Sequence, residues 1–254
     1  MAFHGKVCLI TGAGSGMGRL AAQRLAAGGA TVAAIDLNEE GLRETAKAND
    51  KIRSYPLDVT DERGVHEAVA KIESDCGPID RVMNGAAIMP TGLLMNQDSG
   101  LINRIMEINY GGTVNVTMAT LPRMLERGSG DIVNFASIAG WIPILHFGAY
   151  NASKFAVVAF TEVLYHENRN RGVRFACVCP PPVATPLLDQ AKSNPKILDQ
   201  MKPIDPNQVL DRIEAGLDKG RLMIYPDAMS AISQRLRRFF PNLSWKASHR
   251  AEGI

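Results

Sequence analysis

One stretch near the start of the chain constrains the fold more than any other. A run of apolar, β-forming residues, K-V-C-L-I-T at 6–11, leads into a glycine-rich turn at 12–18 and then into residues of helical composition. Bare backbone can approach a pyrophosphate closely, and the first turn of a helix offers free N–H groups and a partial positive charge. The pattern predicts a dinucleotide-binding turn rather than a merely flexible loop, with candidate contacts at Gly12, Ser15, Gly16, Met17 and Gly18.

The second predicted strand, Thr31 to Ile35, ends in Asp36 and Leu37. A carboxylate about 20 residues beyond the glycine turn can accept hydrogen bonds from the adenosine ribose and repels a 2′-phosphate. The position therefore favours NAD over NADP and makes both residues candidate cofactor contacts. The alternative is that Asp36 caps the next helix.

The third predicted strand, over 52–57, ends in Asp58 and Val59, which could border the adenine. A capping role for Asp58 ahead of the following helix is an equally good interpretation. Strands and helices continue to alternate. The fold class is therefore α/β: a single domain over residues 1–254, with a doubly wound parallel sheet of about seven strands, helices on both faces and ligands at the carboxyl ends of the strands.

The second half carries Y-N-A-S-K at 150–154. Positions four apart share one helix face, so Tyr150 and Lys154 can point into the same cleft. A free tyrosine has a pKa of about 10, and a neighbouring cation lowers it, which makes Tyr150 a candidate acid–base group. A solvated helix face is the alternative for this spacing alone.

Two further residues complete a recognisable pattern. The pattern consists of the T-G-A-G-S-G-M-G run at 11–18, Asn109, Ser137 and Y-N-A-S-K at 150–154. Ser137 precedes Tyr150 by 13 residues. Over roughly residues 3–226 the chain resembles the short-chain dehydrogenases/reductases, in the common subfamily whose length of about 250 residues it shares.

The resemblance implies a role for each of four residues. Tyr150 is the general acid/base, and Lys154 lowers its pKa and bonds the nicotinamide ribose. Ser137 bonds the substrate oxygen. Asn109, inside a long helix over 99–127, holds a water that links Lys154 to solvent. Fixed donors of this kind stabilise the alkoxide-like charge that hydride transfer creates. The blander alternatives are an Asn109 that bends its helix and a Ser137 that caps a turn.

One departure from the family pattern follows the fourth strand. The family usually reads N-N-A-G there, whereas this chain has Asn84, Gly85, Ala86 and Ala87. The resemblance places the first three at the cofactor. Loss of the second asparagine is expected to remove side-chain bonds that steady the central sheet.

A second departure follows the sixth strand, where P-G-x-V-x-T becomes P-P-P-V-A-T at 180–185. Pro181 has a fixed φ and no N–H, so the turn is expected to be stiffer than usual. Pro180, Val183 and Thr185 remain where they could hold the carboxamide.

Family analogy also places the substrate pocket, behind a mobile lid over 186–203. Its lining is apolar, which favours a hydrophobic secondary alcohol or ketone such as an aryl, terpenoid, steroid or long-chain compound. Single positions could instead serve the core or a subunit interface, and His146 is expected to be a structural or rim residue. The predicted lining is Ile88 to Pro90, Gly140 to Phe147, Pro181, Pro182, Leu187 and Leu188.

The chain continues past its last predicted strand as an extension over 227–254. Apolar residues at 229, 232, 236, 239 and 240 mark one helix face, opposed by arginines. A flap over the pocket or a partner subunit is favoured over an ordinary surface helix, and membrane contact is the least favoured. The last residues, Trp245 to Ile254, are expected to be frayed.

Composition restricts the partners. A formal net charge of +2 gives no reason to expect nucleic acid, and the four cysteines, without a C-x-x-C pair, suggest a reducing, cytoplasmic protein and no metal site. The resemblance implies a homodimer or homotetramer. The favoured function is an NAD-dependent oxidoreductase interconverting an apolar secondary alcohol and its ketone. The alternatives are an NADPH-dependent ketone or 3-oxoacyl-type reductase and a non-catalytic dinucleotide-binding regulatory protein.

Overall fold

A computed structural model describes residues 5–191, 195–199 and 201–253. Its strands are β1 (Val7–Thr11), β2 (Thr31–Asp36), β3 (Ile52–Pro56), β4 (Arg81–Asn84), β5 (Gly130–Phe135), β6 (Val173–Val178) and β7 (Met223–Ile224). Its helices are α1 (Gly16–Ala27), α2 (Glu39–Ala46), α3 (Glu62–Cys76), α4 (Ser99–Met106), α5 (Gly112–Arg127), α6 (Gly148–Glu167), α7 (Lys196–Asp199), α8 (Pro206–Asp218), α9 (Ala228–Phe239) and α10 (Pro241–Glu252).

The strands form one parallel sheet in the order β3-β2-β1-β4-β5-β6-β7. One face packs against α1, α2 and α8, and the other against α3, α5 and α6. Because both faces are covered, β1 and β5 are buried along almost their whole length, including the polar Asp131 and Asn134 of β5. The predicted fold class is confirmed. The strand order reverses between β1 and β4, so their carboxyl ends border a crevice of the kind that binds ligands in such sheets.

A side-chain network holds the middle of the sheet together. Asn84 Nδ2 donates to Asn134 Oδ1 at 2.8 Å and to Thr117 Oγ1 at 3.0 Å. Asn134 Nδ2 in turn donates to Thr161 Oγ1 at 2.9 Å. Side-chain bonds therefore steady the sheet even though Gly85 supplies none.

The long helix predicted over 99–127 is present but interrupted. A π-helical turn, Glu107–Gly111, separates α4 from α5 and contains the buried Asn109. Such single turns insert one extra residue and recur at functional sites.

The C-terminal segment contradicts the expected fraying of 245–253. It forms α10, which begins with Pro241 at its first turn, stacks Trp245 on His249 and buries Ser248. Its neighbours are α9 and α7, and these tertiary contacts order a polar sequence that has little helical drive of its own. On α9 the apolar face stays exposed at Met229, Ile232, Leu236 and Phe239. Among the described residues, no helix combines the length and the apolar character needed to cross a bilayer.

Candidate active site

The glycine turn brings bare backbone to the crevice. Gly12 has φ of +70°, and a Cβ there would lie 2.7 Å from the carbonyl oxygen of Gly85. A Cβ on Gly18 would lie 2.2 Å from the carbonyl oxygen of Gly12. The N–H groups of the first turn of α1 have no intrahelical acceptor, and the side chain of Ser15 does not cap them either. These are the groups that an anionic pyrophosphate needs.

Asp36 belongs to the glycine turn and not to the next helix. Its Oδ2 accepts from Gly14 N at 2.8 Å and its Oδ1 from Asn38 N at 2.9 Å. The N-cap of α2 is Asn38, whose side chain accepts from Gly41 N, so the capping alternative for Asp36 is wrong. Leu37 is exposed at the rim of the same cleft.

Asp58 and Val59 also line this cleft, just beyond the point where Leu57 N donates to the Asp36 carbonyl at 3.1 Å. Asp58 accepts from the backbone and hydroxyl of Thr60 and pairs with Arg104 at 2.9 Å. Burial, the largest single influence, raises the pKa of Asp58, but the hydrogen bonds from Thr60 and Arg104 together lower it below its ordinary value. The cap of α3 is Asp61, so Asp58 does not cap that helix. Arg104 reaches the cleft from α4, and no local sequence signal indicated it.

The end of β4 completes the cleft. Thr11 Oγ1 accepts from Gly85 N at 3.1 Å and Ala86 N at 3.2 Å, which fixes the turn next to β1. Gly85 and Ala86 line the cleft. The side chain of Asn84 lies in the network inside the sheet, and a contact of Asn84 with the cofactor stays a prediction.

Three of the four predicted catalytic residues meet in a second pocket beside the cleft. Tyr150 and Lys154, both on α6 and both buried, line it together with Ser137. Lys154 Nζ donates to the carbonyl oxygen of Phe135 at 2.8 Å and lies 5.6 Å from the centre of the Tyr150 ring. The predicted shared helix face therefore exists.

Burial dominates the ionisation of this pair. It raises the pKa of Tyr150 to about 12, opposed by a hydrogen bond with Ser137. It lowers the pKa of Lys154 to about 8, opposed by Cys177 and Cys179. Both groups are withdrawn from water, and burial disfavours the charged form of each. The expectation that Lys154 lowers the pKa of Tyr150 stays a prediction.

Asn109 acts locally through its side chain. Its Oδ1 accepts from Ile88 N at 2.8 Å, and its Nδ2 donates to Ile88 O and Ser153 Oγ, each at 3.0 Å. The side chain thus ties the segment after β4 to α6, beneath Tyr150 and Lys154. A water held by Asn109 stays a prediction.

The turn after β6 forms the floor between the two pockets. The Pro180 carbonyl accepts from Ile138 N at 2.9 Å, and the Pro182 carbonyl accepts from Ile204 N at 3.0 Å. Pro180, Val183 and Thr185 line the second pocket, and Thr185 also lines the cofactor cleft. That they hold the carboxamide of the cofactor stays a prediction. Pro181 is accommodated because the bonds at this turn use carbonyls of its neighbours.

The walls of the second pocket are mostly apolar. Ile88, predicted there, lines the cofactor cleft instead, and His146 is not part of either lining.

Sequence reasoning did not single out Gln190, whose Oε1 accepts from Met89 N at 2.8 Å. Residues 192–194 and 200 of the predicted lid lie outside the described residues. The apolar lining comprises Met89, Ile144, Phe147, Pro181, Pro182, Leu187, Leu188, Leu198 and Met201.

The arrangement fits a nicotinamide dinucleotide. Asp36 stands at one end of the cleft, the uncapped N-terminus of α1 at its middle, and Lys154 at the junction with the second pocket. Gly12 packs so closely on Gly85 that a side chain there would clash with the backbone at the base of the cleft. The residues present therefore supply an anion site, a carboxylate for ribose hydroxyls and a buried ammonium.

Comparisons with known proteins agree with this geometry. The family model "short chain dehydrogenase" matches residues 6–196. A 2-(R)-hydroxypropyl-CoM dehydrogenase of Xanthobacter autotrophicus is 35% identical over 77% of this chain and 82% of its own. A rat 17-beta-hydroxysteroid dehydrogenase 13 is 32% identical over 98% of this chain and 84% of its own.

Among solved structures, a short-chain dehydrogenase/reductase from Burkholderia phymatum in complex with NAD superposes with a TM-score of 0.85 at 27% identity, covering 96% of both chains. The fold, the two joined pockets and the family match all lead to one conclusion: this chain is an oxidoreductase of the short-chain dehydrogenase/reductase family.

Proposed function

We propose that the protein is an NAD-dependent dehydrogenase that interconverts an apolar secondary alcohol and its ketone. The observation that carries the proposal is the second pocket, where the hydroxyls of Ser137 and Tyr150 stand among apolar walls next to the cleft marked by Asp36. Such a pocket orients one oxygen and selects an apolar body around it.

The choice of NAD rests on Asp36. Its carboxylate lies beside Gly14, where it accepts hydrogen bonds and repels a 2′-phosphate. Arg19, which follows the glycine turn on α1, has its guanidinium already bound to Gly14 O, Gly41 O and Thr45 Oγ1. An NADPH-dependent reductase remains the second candidate, since Arg19 could also receive a phosphate if it left these acceptors.

The mechanism follows from the positions of three side chains. Bound nicotinamide carries the hydride, and the protein supplies position and the proton. Ser137 holds the substrate oxygen. Tyr150 gives that oxygen a proton when a ketone is reduced and takes it back when an alcohol is oxidised. Lys154, fixed by the Phe135 carbonyl, stabilises negative charge on the phenol oxygen during transfer.

The relatives support the reaction class. Two of them are named for hydroxyl-bearing compounds, a 2-(R)-hydroxypropyl-CoM and a 17-beta-hydroxysteroid, and a structural neighbour holds NAD. The geometry of Tyr150, Ser137 and Lys154 also argues against a protein that only binds dinucleotide.

Self-association is part of the proposal. Exposed apolar side chains stand on α5 at Met118 and on α6 at Phe155 and Val163, on the helices through which the family assembles. Burying them in a homodimer or homotetramer removes apolar surface from water. Light scattering that finds only a 27.5 kDa species would contradict this part.

A turnover screen tests the function. Purified protein is given NAD+ or NADP+ with a panel of steroidal, terpenoid, aryl and long-chain secondary alcohols, and reduced cofactor is followed by its absorbance. We expect turnover with NAD+ on one of these classes. Faster turnover with NADP+ would favour the reductase, and silence with NADH binding intact would favour the non-catalytic alternative.

A further inference from the structure

One side of the substrate pocket, which we call its roof, is formed by the very short helix α7. Helix α7 is a single turn, and its Leu198 packs on the pocket cluster that includes Met89, Phe147 and Tyr150. A single turn has too few internal hydrogen bonds to hold itself in place. The position of Leu198 therefore depends on what lies on the outer side of α7.

That outer contact is the end of α10. Lys196, on the same turn as Leu198, donates from Nζ to the carbonyl oxygen of Glu252 at 3.4 Å. Glu252 is the last residue of α10, and Gly253 follows it in the left-handed conformation. Carbonyls at a helix C-terminus carry partial negative charge and lack intrahelical donors, so an ammonium group is a favourable partner there.

The same residue reaches a second wall of the pocket. Glu252 Oε2 lies 3.8 Å from Nε2 of His146, and the Glu252 side chain is only 7% exposed. His146 has φ of +68°, in the left-handed region that non-glycine residues rarely adopt. Its carbonyl accepts from Gly92 N at 2.8 Å. Such strain persists only where surrounding contacts hold it.

His146 matters because of its neighbours in the chain. Ile144 and Phe147, on either side of it, line the pocket beside Tyr150. The ring of Phe147 lies edge-on to Tyr150, with the ring centres 6.2 Å apart. A shift of the loop at His146 would therefore move the wall against which the substrate packs.

We propose that Glu252 is a positioning residue for the substrate pocket: its backbone carbonyl holds the roof through Lys196, and its carboxylate holds the wall through His146. This proposal deepens the proposed function and rests on it for the identity of the ligand. Glu252 lies outside both pocket linings, so it acts on substrate binding rather than on proton transfer or cofactor binding.

The test compares Glu252→Gln and Lys196→Met with the wild type. Each removes one of the two contacts while keeping most of the side-chain volume. Glu67→Gln is the matched control, because Glu67 makes an exposed ion pair with Arg63 on α3, away from the pocket. Readouts are hydrogen–deuterium exchange of peptides covering 144–150 and 196–199, NADH binding by fluorescence, and substrate KM and kcat.

We expect Glu252→Gln to speed exchange in 144–150 and Lys196→Met to speed exchange in 196–199. Both should raise KM for the alcohol about fivefold, with kcat and NADH binding unchanged, as loss of a pocket-ordering contact predicts. Glu67→Gln should change none of these.

Unchanged exchange in both variants would overturn the proposal, and so would faster exchange without a change in KM. The exchange readout needs no substrate, so it gives an answer even if the turnover screen is silent. Failure of the proposed function and failure of this inference are therefore distinguishable.

Discussion

The cofactor cleft and the substrate pocket share one edge of the sheet, but backbone atoms form most of the cleft and side chains form most of the pocket. The cleft is made by backbone at strand ends: the glycine turn, the Gly85 turn and the start of α1. The pocket is made by side chains from the loop before α6, the turn after β6 and the single-turn helix α7. The first depends on local conformation and the second on packing between distant segments.

This difference has a physical cause. A pyrophosphate site needs N–H groups and room, which a few glycines in a fixed order provide. An apolar pocket needs a shape, which arises only when several elements meet. Mutations in the cleft should therefore act mainly on the cofactor, and those in the pocket mainly on the substrate. Of the residues at the junction, Tyr150 should affect the chemistry alone.

A substitution at the junction between cleft and pocket should give the largest change in turnover. Tyr150→Phe removes the hydroxyl that exchanges the proton and keeps the ring, so we expect turnover to fall about 10²- to 10⁴-fold. Dinucleotide affinity should not change. Steady-state kinetics and NADH fluorescence measure the two quantities, with Tyr165→Phe on the same helix as the control. Turnover within a few-fold of wild type would remove Tyr150 from the mechanism.

The next prediction concerns the pH at which Tyr150 loses its proton. Burial raises its pKa from 10.0 to about 12, so the phenol stays protonated across the neutral range in the protein without cofactor. Near-ultraviolet absorbance reports phenolate, and Tyr150→Phe isolates the contribution of this residue. We expect no difference between the two proteins from about pH 6 to about pH 10, and a difference only above that range.

An absorbance step below that range would show that the Lys154 cation outweighs burial and lowers the pKa of Tyr150. The same titration in Lys154→Met would show whether the cation causes the step. Because Lys154 has a pKa lowered to about 8, any such influence should fade as the pH rises through that value.

In the cleft, Asp36→Asn should weaken NAD+ binding about tenfold, because a charged acceptor for the ribose hydroxyls is lost. Binding of NADP+ should improve, since the repulsion of its phosphate is removed. Calorimetry with both cofactors gives the ratio. Asp58→Asn is the control in the same cleft and should change both affinities alike. An unaltered ratio in Asp36→Asn would leave cofactor choice to Arg19.

The sequence predicted more of the cleft than of the pocket, because the cleft depends on local conformation and the pocket on packing between distant segments. Strand, glycine turn and helix are contiguous in the chain, so the contacts at Gly12 and Asp36 follow from spacing. The ion pair of Asp58 with Arg104 and the bond of Gln190 to Met89 join segments far apart, and no periodicity marks them.

Two further misses concern burial and tertiary order. Spacing placed Tyr150 and Lys154 on one face but could not show how fully both are withdrawn from water, which raises the pKa of Tyr150 and lowers that of Lys154. The polar composition of 245–253 predicts fraying, whereas contacts with α7 and α9 order it as α10. Tertiary packing decides both outcomes.

A substitution in the pocket lining should give the smallest change in the kinetic constants. Leu198→Ala shortens one side chain that packs on the cluster containing Tyr150, so it removes apolar contact with the substrate and leaves the hydroxyls of Ser137 and Tyr150 in place. We expect KM for an apolar alcohol to rise about threefold to tenfold, in line with partial loss of one buried leucine side chain. The rise should be larger for bulky alcohols than for small ones, because only bulky alcohols reach α7. Leu243→Ala, exposed on α10, is the control. An equal rise for small and bulky alcohols would show that Leu198 orders the site in general, which would weaken the separation between pocket and cleft.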